Sequence, residues 1–326
     1  MKNLLVTTST LATLLSLSVK AEAAQIEEVE FESNGQTLVG NLYLPDEYQA
    51  GTKLPATVIT GAWTTVKEQM PANYGEAMAD RGYAALVFDF RNWGESSGDN
   101  RQFENPANKT EDIIAAADYL TTREEVDPNK IAGLGICASS GYMADAAAQS
   151  EDIKSVALVA PWLHDRELVN EIYGGEESVQ ALIQTSREAE AKYEATGEVS
   201  TVPAASNTNE NAVMYQAEYY TDPKRGAIPE YVNEFNLASW EGWLTYDAMA
   251  IADNLNDPVL IVHSEAAAIP QGAKEFYQRL SEPKQQLWLE NTTQFDFYDN
   301  QEAMPSASFA IATAGEAVVK HFERTM

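Results

Sequence analysis

Cys137 is the residue of this chain whose surroundings best suit nucleophilic chemistry. It lies at the centre of residues 135–139, Gly-Ile-Cys-Ala-Ser, a small-x-nucleophile-x-small pattern that lets the chain reverse sharply and expose the central side chain. An apolar run precedes it, and a helix beginning near Ser139 would place its positive end beneath the sulfur. The pattern predicts a cysteine nucleophile. The alternative is a small buried side chain, since free cysteines are often buried.

A strand and a helix on either side of Cys137 would hold it at the edge of a sheet. Strand patterns alternate with helical patterns along the chain, as a parallel sheet with crossover helices requires. Ser-Asn-Gly at residues 33–35 has the composition of a hairpin turn between two opening strands. The predicted strands cover residues 26–31, 37–44, 55–59, 83–90, 130–136, 155–160, 258–263 and 281–289, and the predicted helices cover residues 67–81, 110–122 and 303–322, besides the one near Ser139.

This order of elements and the turn at Cys137 resemble the α/β-hydrolase superfamily, in particular its dienelactone-hydrolase-like branch. Residues 89–98, Asp-Phe-Arg-Asn-Trp-Gly-Glu-Ser-Ser-Gly, are similar to the D-x-R-G-x-G-x-S loop of many members. The resemblance implies an α/β fold, with a mostly parallel central sheet flanked by helices. It places Cys137 at the nucleophile elbow, where serine is usual.

The segment from residue 162 to residue 257 does not follow the sheet pattern. It is rich in charged residues, Tyr and Trp, and helical patterns occur at residues 178–195 and 211–220. Structureless loops of such length are uncommon in compact domains. We therefore expect an inserted, mainly helical cap at residues 162–257, over a hydrolase core formed by residues 24–161 and 258–326.

Two backbone N–H groups are candidates for an oxyanion hole. The N–H group of Ala138 follows the nucleophile, and the resemblance implies a second donor in the loop Gly-Ala-Trp at residues 61–63, at Trp63. Backbone donors require no particular side chain, so the sequence permits this hole. A plain strand-to-helix turn at residues 61–63 is the alternative.

The acid and base of a catalytic triad are missing at their expected positions. Ala267 lies where the resemblance places the aspartate, and Gln294 lies where it places the histidine. His164 and His263 each follow or end a predicted strand at the functional edge of the sheet, and either is a candidate substitute base. Glu265 is a candidate acid, while His321 in the final helix is expected to be solvated. The more conservative interpretation of these residues is a structural role.

The composition limits the possible partners. The chain has 50 acidic and 21 basic residues and a net charge of −29, so nucleic acids and anionic membrane surfaces would repel it. No motif indicates a cofactor, and no Cys/His spacing indicates a metal site. A small-molecule acyl substrate or ligand is the expected partner.

The N-terminal residues have the pattern of a secretory signal peptide. A short basic start precedes an apolar stretch at residues 4–19, and Ala-Glu-Ala at residues 21–23 fits a cleavage site. We therefore expect residues 1–23 to be a signal peptide and the mature protein to be exported, to the periplasm or outside the cell. The single cysteine cannot form an internal disulfide, so its thiol is free to react.

A thiol can attack an acyl group without help from a base, but release of the acyl group is harder. A free thiol with a pKa of about 8.5 is already partly thiolate at neutral pH. Hydrolysis of the acyl-enzyme needs activated water, and Gln294 cannot accept a proton. The sequence therefore predicts an exported enzyme that acts slowly on an ester or thioester through Cys137. An acyltransferase, or a non-catalytic ligand-binding protein on a hydrolase scaffold, are the alternatives.

Overall fold

The computed structural model describes residues 24–299 and 305–326. The predicted signal peptide, residues 1–23, lies outside the described residues. Within the described part of the chain, no helix combines the length and the apolar character needed to cross a membrane.

Twelve strands and nine helices are found in the described residues. The strands are β1 (Gln25–Ser33), β2 (Gln36–Leu44), β3 (Leu54–Thr60), β4 (Ala84–Phe88), β5 (Val126–Ile136), β6 (Ile153–Val159), β7 (Thr201–Pro203), β8 (Ala205–Ser206), β9 (Met214–Tyr215), β10 (Glu234–Asn236), β11 (Val259–Ser264) and β12 (Lys284–Leu289). The helices are α1 (Met70–Ala79), α2 (Pro106–Thr121), α3 (Ser139–Gln149), α4 (Arg166–Ile172), α5 (Glu176–Thr196), α6 (Ser239–Thr245), α7 (Met249–Ala252), α8 (Pro270–Arg279) and α9 (Pro305–Thr325).

Eight strands form one central sheet in the order β1-β2-β4-β3-β5-β6-β11-β12. β1 and β2 are antiparallel, as are β2 and β4, and the remaining neighbours are parallel. Every residue of β4 is buried, as are the last six residues of β5, because helices cover both faces of the sheet. The predicted α/β-hydrolase fold, with its mostly parallel sheet flanked by helices, is confirmed.

The opening hairpin follows from its turn residues. Asn34 has a φ of 47° and Gly35 a φ of 78°, and tight hairpin turns of this kind need positive φ at both central residues. β1 and β2 pair in continuous register from Gln25 opposite Leu44 to Ser33 opposite Gln36. The predicted turn at residues 33–35 is confirmed.

The chain between β6 and β11 contains α4 to α7 and two small two-stranded sheets, which pair β7 with β10 and β8 with β9. The helix predicted at residues 178–195 corresponds to α5. The helical pattern predicted at residues 211–220 is wrong, because β9 forms there and only Glu218–Tyr220 make a short 3-10 turn. The backbone N–H of Met214 donates to the carbonyl of Ala204, and the positive φ of Gln216 ends any helical path.

Two further features differ from the sequence expectations. α8 connects β11 to β12. No helix was predicted there from the sequence, although a parallel pair of strands needs a crossover connection.

His321 in α9 is buried, not solvated: its Nε2 lies 3.0 Å from the hydroxyl of Ser155 in β6. Its pKa is lowered by burial. The imidazole therefore helps to seat α9 against the sheet.

Candidate active site

Cys137 lies between the end of β5 and the start of α3, at the apex of a strained turn. Its φ is 57°, in the left-handed region that side chains other than glycine rarely adopt. Its N–H group donates to the carbonyl of Val159, and its own carbonyl accepts from the N–H of Trp162, at 3.0 and 2.9 Å. A Cβ atom at Gly135 would lie 2.7 Å from the carbonyl oxygen of Ser139, so the turn requires glycine there. These contacts have the geometry of a nucleophile elbow.

Four polar groups of the described residues act on the thiol of Cys137 and favour its thiolate form. They are the hydroxyl of Tyr298, the backbone N–H groups of Ala138 and Trp63, and the side chain of Gln294. Burial raises the pKa of the Cys137 thiol, and these four groups lower it, with burial the larger effect. The structure therefore brings both predicted oxyanion-hole donors to the sulfur. The positive end of α3 also favours the thiolate, but the loss of water on burial outweighs it.

Gln294 forms the centre of a short polar chain that ends at the thiol. Its Oε1 accepts from the backbone N–H of Ala268 at 3.0 Å, and its Nε2 donates to the carbonyl of Ala160 at 2.9 Å and to the hydroxyl of Tyr298 at 2.8 Å. The backbone of Ala268 thus orients the residue that replaces the histidine, while the neighbouring Ala267 offers only a methyl group. An amide cannot take up a proton at neutral pH.

Tyr298 is the site residue that the sequence analysis missed. Its hydroxyl accepts from Gln294 and contacts Cys137, and its pKa is raised far above the ordinary value, mainly by burial. It therefore stays protonated and can donate a hydrogen bond to sulfur. The sequence does contain an indication of this role. Tyr298 lies in the run Phe-Asp-Phe-Tyr-Asp at residues 295–299, which follows Gln294 directly.

His164, the candidate base, is engaged elsewhere. The indole N–H of Trp162 donates to its Nδ1 at 3.0 Å, so its Nε2 carries the proton and donates to the carbonyl of Trp243 at 3.1 Å. Burial lowers the pKa of His164 to about 4. Both ring nitrogens are therefore satisfied, and among the residues described no hydrogen bond joins this imidazole to Cys137. The interpretation as a structural residue fits these contacts, and the role of base does not.

The other two substitutes predicted from the sequence also face other partners. His263 is buried, with Nε2 3.1 Å from the carbonyl of Ala268 and its ring edge-on to Trp288. The carboxylate of Glu265 is exposed and pairs with Lys274 at 2.5 Å. Neither side chain is brought to Cys137.

A cavity of about 410 Å³ opens onto Cys137. Its walls come from the central sheet and from the chain between β6 and β11, and none of the lining residues within 24–299 and 305–326 is charged. Trp63 stacks on Trp243 with ring centroids 4.9 Å apart, so this wall is rigid. Besides the groups at the thiol, the lining is mainly aromatic and aliphatic: Trp162, Ile172, Tyr173, Val213, Met214 and Tyr220.

One group of carboxylates has the spacing of a cation site. Oxygens of Glu68, Asp89 and Glu95 lie close together, but the ammonium group of Lys67 pairs with all three, at 2.6, 3.0 and 2.5 Å. Lys67 is almost fully buried and supplies the positive charge itself. The cluster is therefore an ion-pair network within the fold.

Comparison with curated proteins gives relatives along most of the chain. The protein YcjY of Escherichia coli, described as uncharacterized, is 31% identical over 279 residues, which are 83% of this chain and 91% of the relative. Two fungal proteins match about half of the chain. A thiohydrolase, aneE of Aspergillus aculeatus, is 30% identical over 171 residues, 52% of this chain and 50% of its own length. An acyltransferase, drtE of Aspergillus calidoustus, is 28% identical over 150 residues, 46% of this chain and 47% of its own.

Solved structures with the same fold cover almost all of the chain. The hypothetical protein PA2218 of Pseudomonas aeruginosa superimposes with a TM-score of 0.78 and 25% identity, over 98% of this chain and 100% of that one. The α/β hydrolase GrgF of a Penicillium species gives a TM-score of 0.77 at 19% identity, over 93% of this chain and 99% of that one.

The family described as X-Pro dipeptidyl-peptidase (S15 family) matches residues 34–295. This range begins in the opening hairpin and runs through the elbow to the residues beside Gln294. It includes both backbone donors and the whole chain between β6 and β11. The chain therefore belongs to the X-Pro dipeptidyl-peptidase (S15) family and has the α/β-hydrolase fold.

Proposed function

We propose that this protein transfers acyl groups from thioesters through Cys137, by way of an acyl-cysteine intermediate. The observation that carries the proposal is the set of groups around the thiol. Two backbone N–H groups and the hydroxyl of Tyr298, which Gln294 orients, lie around it, and no imidazole contacts it in the described part of the chain. The site is thus equipped to stabilise an oxyanion but not to move protons at neutral pH.

The leaving group decides which substrates suit such a site. When Cys137 attacks a thioester, a new C–S bond forms, the substrate C–S bond breaks, and the thiol proton passes to the departing sulfur. The departing thiolate has a pKa near that of cysteine, about 8.5, so it needs no acid catalyst. An alcohol or amine leaving group needs protonation, and in residues 24–299 and 305–326 no group with a near-neutral pKa contacts the thiol to supply it. Thioesters are therefore favoured over esters and peptides.

The same deficiency limits hydrolysis of the acyl-enzyme. General-base help is worth about 10² to 10⁴ in rate, and Gln294 cannot give it. A thiol or amine acceptor attacks a thioester better than water does, so transfer is favoured over hydrolysis. The printed names of the two fungal relatives, a thiohydrolase and an acyltransferase, support this class of chemistry.

The cavity supports an uncharged acyl group. Its volume of about 410 Å³ is within the range of small-molecule sites, and the aromatic and aliphatic walls that the structure describes carry no charged side chain. Burying an unpaired charge there would be strongly unfavourable. We therefore propose apolar acyl groups of moderate size.

The test follows acylation and turnover separately. Purified mature protein is mixed with an octanoyl thioester of N-acetylcysteamine, and released thiol and protein mass are both recorded. We expect one equivalent of thiol to be released rapidly, an octanoyl adduct on Cys137, slow further turnover, and acceleration by an added amine. Cys137→Ala should give neither burst nor adduct. Fast turnover in water alone would contradict the transfer mechanism.

A non-catalytic role is the second candidate, and the raised pKa of the Cys137 thiol favours it. A ligand-binding protein needs the apolar cavity but not the nucleophile. In that case thioesters would bind saturably to wild type and Cys137→Ala alike, with no adduct on either. That result would replace the acyl-transfer proposal.

We also propose that the protein is exported. The support is the basic start, the apolar stretch and the Ala-Glu-Ala sequence within residues 1–23. Mass analysis of the N-terminus of protein made in a bacterial host should show a chain beginning at Ala24. An uncleaved N-terminus on protein recovered from the cytoplasmic fraction would contradict this proposal.

A further inference from the structure

The two oxyanion-hole donors come from different parts of the chain and need a connection between them. The N–H of Ala138 belongs to the N-cap residue of α3, and the N–H of Trp63 lies in the loop that follows β3. A donor that is misplaced by about 1 Å can lower a rate by as much as 10²-fold. Some group must therefore fix the Trp63 loop relative to α3.

Glu104, in the loop between β4 and α2, makes this connection. Its side chain is fully buried. Its Oε2 accepts from the backbone N–H of Thr64, the residue after Trp63, at 3.1 Å, and its Oε1 accepts from the hydroxyl of Tyr142 in α3 at 3.0 Å. One carboxylate thus joins the loop that contains Trp63 to α3, the helix that Ala138 caps.

The surroundings of Glu104 make this arrangement rigid. The ammonium group of Lys109 pairs with its Oε2 at 2.8 Å and lies over the rings of Phe90 and Trp93, at 4.5 and 5.1 Å from their centroids. The backbone N–H of Glu104 donates to the hydroxyl of Ser239 at 2.9 Å, at the start of α6. α6 also carries Trp243, which stacks on Trp63. The side chain of Glu104 therefore holds the backbone of the loop at Thr64. The backbone of Glu104 holds α6, whose Trp243 packs on the ring of Trp63.

The backbone of Thr64 shows why the loop needs this acceptor. Its φ is 63°, a conformation that β-branched residues adopt only when other contacts hold them there. Its N–H group is buried, and without Glu104 it would lose its hydrogen-bond acceptor. Loss of that bond would let the peptide between Trp63 and Thr64 rotate, because rotation relieves the strain at Thr64.

We propose that Glu104 is a positioning residue of the oxyanion hole: its carboxylate sets the N–H group of Trp63 relative to that of Ala138. This inference rests on the proposed function, since it assigns Glu104 to the same site. Glu104 acts through Thr64 and Tyr142 and does not touch the substrate. Its removal therefore weakens the stabilisation of an oxyanion much more than the reactivity of the thiol, because only one of the groups that favour the thiolate is displaced.

The test uses two reagents that differ in their need for the hole. Hexanal adds reversibly to the Cys137 thiol: the C–S bond forms, and the thiol proton passes to the carbonyl oxygen, which lies in the hole. Iodoacetamide alkylates the thiol by displacing iodide, with the thiol proton lost to solvent, and forms no tetrahedral carbon whose oxygen must lie in the hole. The affinity for hexanal is measured by protection against alkylation, so one assay gives both quantities.

In Glu104→Gln the amide can accept only through one oxygen, and we expect hexanal affinity to fall about tenfold to a hundredfold. The alkylation rate without hexanal should fall much less, because the Tyr298 hydroxyl and the Ala138 N–H still favour the thiolate. Glu104→Leu combined with Lys109→Met removes the ion pair without leaving a buried charge, and should show the same loss if Glu104→Gln is unstable. The matched control is Glu125→Gln, a largely buried carboxylate paired with Arg123 at the opposite end of β5, which should keep wild-type affinity.

Wild-type hexanal affinity in folded Glu104→Gln and in the double variant would overturn the inference. A parallel loss of affinity and alkylation rate would also overturn it, because it would mean general collapse of the site. Absence of any hexanal adduct in wild type would show that no hole operates. If thioesters fail to acylate Cys137 while hexanal affinity depends on Glu104, the proposed function alone is wrong.

Discussion

At the scale of single residues, Cys137 is governed by two opposing effects. Burial disfavours the thiolate, and donors from Tyr298, Ala138, Trp63 and Gln294 favour it. Burial is the larger effect, so the pKa of the resting thiol is raised. The same donors are better used by an oxyanion, which forms only during reaction. A protonated resting thiol is therefore compatible with a site built for acyl transfer.

The pH dependence of alkylation should reveal this balance. Because the pKa of Cys137 is raised, less thiolate is present at pH 8 than in a free cysteine, whose pKa is about 8.5. We expect the iodoacetamide rate to rise with pH through a midpoint above that of free cysteine. Tyr298→Phe removes a donor to the thiolate and should move the midpoint higher still.

Tyr173→Phe is the matched control for that variant. It removes a hydroxyl from the same cavity, one that accepts from the indole of Trp243 rather than contacting the thiol. Its profile should overlay that of wild type. A wild-type midpoint at or below that of free cysteine would show that the donors outweigh burial.

At the scale of elements, the elbow depends on a close approach between β5 and α3. β5 pairs with β3 and β6 on either side, so its end cannot shift to relieve a clash. A Cβ at Gly135 would meet the Ser139 carbonyl at 2.7 Å and the Cα of Ser140 at 2.8 Å, both backbone atoms. The helix must therefore move if this position acquires a side chain, and the donor at Ala138 must move with it.

Gly135→Ala should lower the free energy of unfolding by about 1–3 kcal/mol, the usual penalty for overpacking. Urea denaturation measures it. Gly315→Ala is the control, since its Cβ in α9 would have no neighbour nearer than 3.7 Å. That change should stabilise by about 0.5–1 kcal/mol, because alanine favours helix over glycine. Equal effects of the two substitutions would contradict this account of the elbow.

At the scale of the whole molecule, the excess of acidic residues is the main electrostatic influence on stability. The net charge of −29 produces repulsion that favours expansion of the chain. Many ion pairs of the described residues are exposed, such as Arg166 with Glu176 and Lys320 with Glu316, and such pairs contribute little. Stability therefore depends on the core and on screening by salt.

We expect the thermal midpoint to rise as NaCl increases from about 0.01 to 0.15 M, over which the screening length falls from about 30 to 8 Å. The physical reason is weaker repulsion between surface carboxylates. Scanning calorimetry at neutral pH measures the shift. The shift should shrink near the isoelectric point, where the net charge vanishes. A midpoint that does not change with salt at neutral pH would contradict a dominant role for repulsion.

The sequence by itself determined the parts of this protein that depend on neighbouring residues. The hairpin at Asn34 and Gly35 follows from local steric limits on φ, which these two residue types relax, and the turn at Cys137 was recognisable from the small residues around it. The order of strands and helices follows from hydrophobic period and fixes the fold class. The two backbone donors were predictable because they depend on position in that fold and not on a side chain.

Only the tertiary structure decided the groups that come from distant parts of the chain. Tyr298 contacts Cys137, Ala268 orients Gln294, and Glu104 lies beneath Thr64, all through contacts that no local pattern encodes. Burial is likewise a property of the packed molecule. It lowers the pKa of His164 and raises that of Cys137, because removal from water disfavours whichever form is charged.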